Sequence, residues 1–179
     1  MSDTAVIVER ATAADAVELA EVAATTFPLA CPPGSTPEDM AAFIAEVLSA
    51  DRFRAYLADS DRIVLKAVAD GHITGYALLN AMEPADPDVA AVITLRPVTE
   101  LSKMYVLPGQ HGRGVSAALM RTAIDLAREH GSKAVWLGVN QENVRAQRFY
   151  SKHGFGVAGT KTFTVGTQLH HDYVMEHRF

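Results

Sequence analysis

Cysteine is nearly absent: Cys31 stands alone among 179 residues, so no disulfide can form within the chain. No apolar run reaches membrane-spanning length and no signal-peptide pattern is present, which points to a cytoplasmic protein without a membrane partner. Positive charge is in the minority, 16 Lys and Arg against 21 Asp and Glu, for a net charge of -5. That balance argues against non-specific nucleic-acid binding and is compatible with a cationic substrate. The seven histidines match no dense metal pattern such as H-E-x-x-H, so no metal is expected. His170 and His171, adjacent on a predicted strand, would point to opposite faces. Repeats, low-complexity segments and linkers are also missing. What remains is ordinary for a globular protein, 49% hydrophobic and 21% charged, and residues 1–179 read as one domain.

The periodicity then sets out the elements. Residues 5–9 read as a short strand, and Thr12 is an N-cap with Asp15 three residues on. Ala16, Leu19, Ala20 and Ala23 recur at helical spacing to about Thr26. Residues 27–34 hold Pro28, Pro32 and Pro33 and are expected to be irregular. Thr36-Pro37 starts a second helix with the stripe Met40, Phe43, Ile44 and Val47. Two strand-like runs, 62–69 and 72–79, are joined by Asp70-Gly71, a strong hairpin signal. Residues 83–97 hold three prolines and read as a long surface excursion. Toward the C-terminus, a buried strand at 134–139 is followed by a helix ending near His153-Gly154. The last antiparallel pair, 155–165 and 169–177, turns at Gly166.

The most informative stretch is 101–155. A strand over 101–107 is broken by Pro108 and Gly109, and a helix runs from about Val115 to His130. Between them lies Gln110-His111-Gly112-Arg113-Gly114. A glycine-bearing loop entering a helix can hold an anion, because glycine lets backbone approach closely and the first helical amides have no intrahelical partner. The phosphate loop of nucleotide triphosphatases needs a lysine where Val115 stands. The dinucleotide pattern is matched by Gly112, Gly114 and Ala117, but the acid expected at the end of the next strand is replaced by Asn140. A tight turn without a ligand explains the loop equally well when it is taken alone.

Downstream, Asn143, Ala146, Phe149, Tyr150, Gly154 and Phe155 form the pattern N-x-x-A-x-x-F-Y-x-x-x-G-F. Asn143, Ala146 and Tyr150 share one helix face, which ordinary core packing also accounts for. The ordered pair of motifs, a Q/R-x-x-G-x-G/A loop after a strand and then this helix, resembles the GNAT superfamily of acetyl-CoA-dependent N-acetyltransferases. Residues 162–175 and the strand opening at Glu100 are similar to a bacterial branch that includes polyamine acetyltransferases.

The resemblance implies an α/β (α+β) fold. Its mixed, mostly antiparallel central sheet would carry a parallel β-loop-α-β cofactor core flanked by helices, all within one N-acetyltransferase domain. It implies acetyl-CoA as cosubstrate. Backbone amides of Gly112, Arg113, Gly114, Val115, Ser116 and Ala117, with His111 beside them, would receive the pyrophosphate. The pantetheine arm would lie between the strands at 104–106 and 134–139, against Met104, Val106, Asn143 and Ala146. His111 and Ser116 depart from the usual Gln or Arg and Gly or Ala, and Ser116 adds a hydroxyl donor. Arg113 and Arg148 would add charge near phosphate or remain solvated.

The chemistry poses two proton problems. An amine of pKa about 10.4 must lose a proton, at a cost of roughly 4–5 kcal/mol at neutral pH. The leaving thiolate, of pKa about 8.5, gains from receiving one. Tyr150 is the expected acid. Glu100 is the expected base through water, or else a carboxylate that attracts the acceptor. A backbone N–H near Val106 would stabilise the oxyanion. The acceptor, a small amine such as a polyamine or a peptide, would enter a pocket built from residues 27–34, the 83–97 excursion and the last hairpin. Glu83, Asp86, Asp88, Glu100 and Asp172 would line it for a polycation or serve as plain surface carboxylates. A homodimer is compatible with these features. The rival functional class is a non-catalytic acyl-CoA-binding sensor of the same fold.

Overall fold

A computed structural model describes residues 5–110 and 114–179. In chain order the elements are β1 (Ile7–Arg10), α1 (Ala16–Ala30), α2 (Pro37–Val47), α3 (Ala50–Ala58), β2 (Arg62–Ala69), β3 (His72–Asn80), α4 (Pro87–Val92), β4 (Val98–Val106), α5 (Val115–Glu129), β5 (Ala134–Asn140), α6 (Val144–Lys152), β6 (Gly156–Val165) and β7 (Gln168–Arg178). The strands form one seven-stranded sheet in the order β1-β2-β3-β4-β5-β7-β6. Every neighbouring pair is antiparallel except β4 with β5, which is parallel and bridged by α5. This is the mixed sheet with a parallel β-loop-α-β unit that the motifs imply. No helix of the described residues is long and apolar enough to cross a membrane.

Local chemistry explains several joints. Asp70 (φ 53) and Gly71 (φ 76) both sit in the left-handed region, the conformation a tight β2–β3 hairpin turn demands. Thr36 caps α2 by accepting from the Asp39 amide at 3.1 Å. Asp15 reaches back to the Thr12 N–H at 2.8 Å, around a single 3₁₀ turn that leads into α1.

Two expectations are overturned. Helix α1 does not stop near Thr26 but continues through Pro28 to Ala30. Packing outweighs the proline: Leu19, Val22, Ala23, Thr26 and Phe27 are all buried along one face. The proline forfeits one backbone bond near the helix end, while that face secures the preceding turns. The 83–97 excursion is likewise not a surface loop throughout. It contains α4, whose Val89, together with the following Ile93, is fully buried against Val98, Trp136 and Val174. Helix α3, unforeseen in the sequence, inserts Phe53 against Tyr76 with ring centroids 5.5 Å apart.

The sheet is covered on both faces. Ala77 and Leu79 point toward α5 with Leu65, Leu101 and Leu137, while Leu78 points toward α1 and α3 with Val64 and Tyr76. That alternation is the period of a strand buried on both sides.

The middle of the sheet contains the feature on which the site depends. The β4–β5 ladder joins only Val98–Ala134, Thr99–Val135 and Glu100–Trp136, and no pairing follows. At the same place Leu78 faces Lys103 while Leu79 faces Leu101, so Ser102 is an extra residue in β4. A bulge of this kind bends the strand and steepens its twist. Beyond it β4 stays on β3 and β5 stays on β7. A wedge-shaped slot opens between them.

Candidate active site

Unpaired backbone lines the slot. Leu107 donates to Thr74 of β3 at 2.8 Å. Alternation along an antiparallel strand therefore turns the amide groups of Met104 and Val106 the other way, toward the slot. The same slot receives the start of α5. Its N-cap is Gly114, at φ 77, and among the described residues no side chain caps the helix. The amides of Val115, Ser116 and Ala117 are thus left for an external acceptor at the positive end of the helix dipole. These residues join Met104, Val106, Asn143, Ala146 and Tyr150 around a groove of about 530 Å³. His111, Gly112 and Arg113, assigned to phosphate from the sequence, lie outside the described residues.

Helix α6 closes the groove from the β5 side. Asn143 is its N-cap, accepting from the Ala146 amide at 3.1 Å, so its side-chain oxygen is already used in holding the helix start. Gln147, which attracts no attention in the sequence, donates to the Asn140 and Gln141 carbonyls at 3.1 and 3.0 Å and pins the turn between β5 and α6. Tyr150 packs edge-on against Phe149 and Phe155. Its hydroxyl makes no hydrogen bond among the described residues, and burial pushes the phenol up to about 12. It is therefore a protonated donor across the physiological range.

Past Tyr150 the groove meets a second cavity of about 220 Å³ on the α1 side of the sheet. Met104, Tyr105, Asn143 and Tyr150 border both spaces. Phe27 stacks on Phe43 at 4.5 Å and Phe163 meets Phe43 edge-on, giving the cavity an aromatic wall. Cys31 also borders it, and burial pushes that thiol up. Among the described residues, the carboxylates of Glu100 and Asp172, the ammonium groups of Lys103 and Lys161 and the imidazole of His170 face it. Asp172 and Lys161 are paired at 3.5 Å across β7 and β6. Burial raises the Asp172 carboxyl, with Lys161 pulling the other way. Gly138 makes room for that lysine, since a Cβ there would stand 2.6 Å from its Cε.

Glu100 is held in place. The Asn80 side chain, buried opposite it on β3, donates from Nδ2 to Glu100 Oε1 at 2.9 Å. Asn80 Oδ1 in turn accepts from Arg62 at 3.1 Å, and Arg62 is paired with Asp59. The sequence offers no hint of this chain, because its members meet only through strand register.

The segments expected around the acceptor do not all meet at this cavity. Residues 27–34 and the last hairpin do border the cavity, through Phe27, Cys31, Lys161 and Phe163 among others. The 83–97 excursion does not. Glu83 and Asp86 line a separate hollow on the far side of Glu100, because α4 packs against β6 rather than folding over the slot. Glu83 is paired with Arg96, and Asp86 caps α4 through the Asp88 amide.

A sheet parted beside an uncapped, glycine-entered helix start defines a class, and comparison with known sequences agrees. The model of the acetyltransferase (GNAT) family matches residues 21–155, and the chain belongs to that family. It is similar to uncharacterized N-acetyltransferases of Mycobacterium bovis and Mycobacterium tuberculosis, 52% identical over 161 residues that cover 90% of this chain and 96% of each relative. Among solved structures, the PaiA N-acetyltransferase of Thermoplasma acidophilum in complex with coenzyme A superposes with a TM-score of 0.78 at 20% identity, covering 98% of this chain and 99% of that one.

Proposed function

We propose that this N-acetyltransferase moves an acetyl group from acetyl-CoA to a primary amine by direct attack in a ternary complex. The observation that carries the reading is the meeting of two spaces at Tyr150. One is lined by free amides suited to a diphosphate and an amide-rich arm. The other is lined by a fixed carboxylate. The coenzyme-bound structural neighbour supports the same assignment.

In this reading the amides of residues 114–117 bind the pyrophosphate. Met104 and Val106 pair with the pantetheine amides, and the slot amide nearest the thioester carbonyl stabilises its oxyanion. Glu100, oriented by Asn80, takes the proton of the acceptor ammonium through water. The free amine then attacks the thioester carbon, forming the C–N bond and breaking the C–S bond. Tyr150 gives its proton to the departing thiolate and regains one from the nitrogen or solvent. The tyrosine suits that role because it carries a proton and holds no hydrogen bond among the described residues.

A polyamine acceptor is the finer alternative, resting on the likeness of residues 162–175 to that branch and on Glu100 and Asp172 at the cavity. Titration of coenzyme A into the pure, folded protein tests the central reading: saturable heat is expected, and its absence refutes the assignment. Release of free thiol from acetyl-CoA on adding an amine tests the transfer.

A further inference from the structure

The acceptor cavity carries balanced charge, which says something about what enters it. Of its four ionic groups, Lys161 and Asp172 neutralise each other at 3.5 Å. Glu100 and Lys103 remain. Lys103 is partly buried on β4, next to the bulge, and its Nζ reaches only the Ser102 hydroxyl, at 3.3 Å. Among the described residues no carboxylate pairs with it, although it borders the cavity. Burial pulls its pKa down, and Glu100 partly offsets this. A partly desolvated ammonium with no ion-pair partner is costly unless an anion completes it. A polycation entering here would meet Lys103 as a like charge, with Lys161 already paired to Asp172. Phe27, Phe43, Phe163 and Val165 form an aromatic and aliphatic wall, beside which the polar Ser102, Asn140, Asn143 and His170 also line the space. At about 220 Å³ the space lies below the roughly 300–1,000 Å³ of pockets for drug-sized ligands.

Resting on the transfer reading above, we propose that the acceptor is a small amine that also bears a carboxylate and an apolar body, that is, an apolar or aromatic amino acid. Its carboxylate is bound by Lys103 and its amine stands before Glu100. Lys103 is a specificity-determining residue in this arrangement, and the product is an N-acetylated amino acid. Removing the acceptor's carboxylate leaves the lysine without its anion, while the aromatic wall still holds the body of the molecule.

Matched pairs test this on the unmodified protein. Thiol release is measured at saturating acetyl-CoA with phenylalanine against 2-phenylethylamine, leucine against 3-methylbutylamine, and spermidine alone. The expected kcat/KM is about tenfold or more higher for the carboxylate-bearing member of each pair. A ratio below about threefold in both pairs, or spermidine preferred to all, overturns the inference. Lys103→Met should narrow the ratio, and an unchanged ratio in a folded variant removes Lys103 from the assignment. If no amine in the panel turns over, phenylalanine is titrated into the CoA-saturated protein. Heat that Lys103→Met abolishes supports the inference, and no heat overturns it while the binding of coenzyme A leaves the transfer reading standing. Failure of coenzyme A itself to bind removes both.

Discussion

Asn80 and Glu100 face each other across the β3–β4 ladder, and the amide of one donates to the carboxylate of the other at 2.9 Å. Because Asn80 is itself gripped by Arg62, the carboxylate is oriented by a chain of three side chains rather than by solvent. Asn80→Ala should lower kcat about tenfold with KM for acetyl-CoA unchanged, and Glu100→Gln should lower it by roughly 10²–10⁴. Steady-state kinetics checks both. Equal losses in kcat and in coenzyme affinity would mean that Asn80 serves only the fold.

Tyr150 borders both spaces and its hydroxyl bonds to nothing described. Tyr150→Phe keeps the ring packing on Phe149 and Phe155 and removes only the proton donor. The expected result is a loss of roughly 10²–10⁴ in kcat with the dissociation constant for coenzyme A unaltered. An unchanged rate would move the acid elsewhere.

Gly114 starts α5 at φ 77, and a methyl group added there would meet open space. Gly114→Ala therefore acts through backbone strain rather than a clash, worth about 1–2 kcal/mol for a left-handed alanine. Calorimetry should show weaker coenzyme binding, by roughly the tenfold that 1.4 kcal/mol represents. Binding unchanged beside an unchanged melting temperature would count against the helix mouth as the diphosphate site.

Tyr76 is fully buried and its hydroxyl has no hydrogen-bond partner among the described residues. Burial also drives its phenol well above the ordinary range. Removing an unsatisfied buried hydroxyl relieves a desolvation cost, so Tyr76→Phe should stabilise the protein by about 1 kcal/mol. The shift in urea midpoint measures it, and a destabilised variant would reveal a partner for that oxygen.

His153 ends α6, its ring 4.6 Å from that of Phe149. Burial lowers its pKa, and Arg121 and His177 add to the effect. With the folded value below the unfolded one, its contribution is intact above about pH 6.5 and is lost as pH falls through the folded value. The melting temperature of His153→Asn should therefore drop less between pH 7 and pH 5 than that of the parent protein. Parallel curves would assign the acid sensitivity to other groups.

How much of this is written in the sequence differs by element. The hairpin at Asp70-Gly71, the Thr36 cap and the strand, loop and helix around Gly114 are local devices whose residue types carry their geometry. The course of α1 past Pro28 is not local, because it depends on Phe27 and Thr26 being buried by partners elsewhere in the chain. Helix α4 hides for a similar reason, since prolines mask a short segment anchored by Val89 and Ile93. Tyr150, Met104, Val106, Asn143 and Ala146, singled out by the order of the motifs, and Glu100, singled out by the resemblance, do gather around the groove and the cavity. No motif marks Lys103, Lys161, Phe43 and Asn80 for the site, because only sheet register and tertiary approach bring them to the cavity.

Ser102 is one residue without a partner on the neighbouring strand. Its consequence extends beyond geometry. Past this point β4 keeps its pairing to β3 and has none to β5, so hydrogen-bonding capacity that a continuous sheet would use up is left open. On the proposed reading, the binding capacity of this molecule is backbone pairing that folding leaves undone, and the coenzyme's arm would complete the sheet that the chain by itself does not.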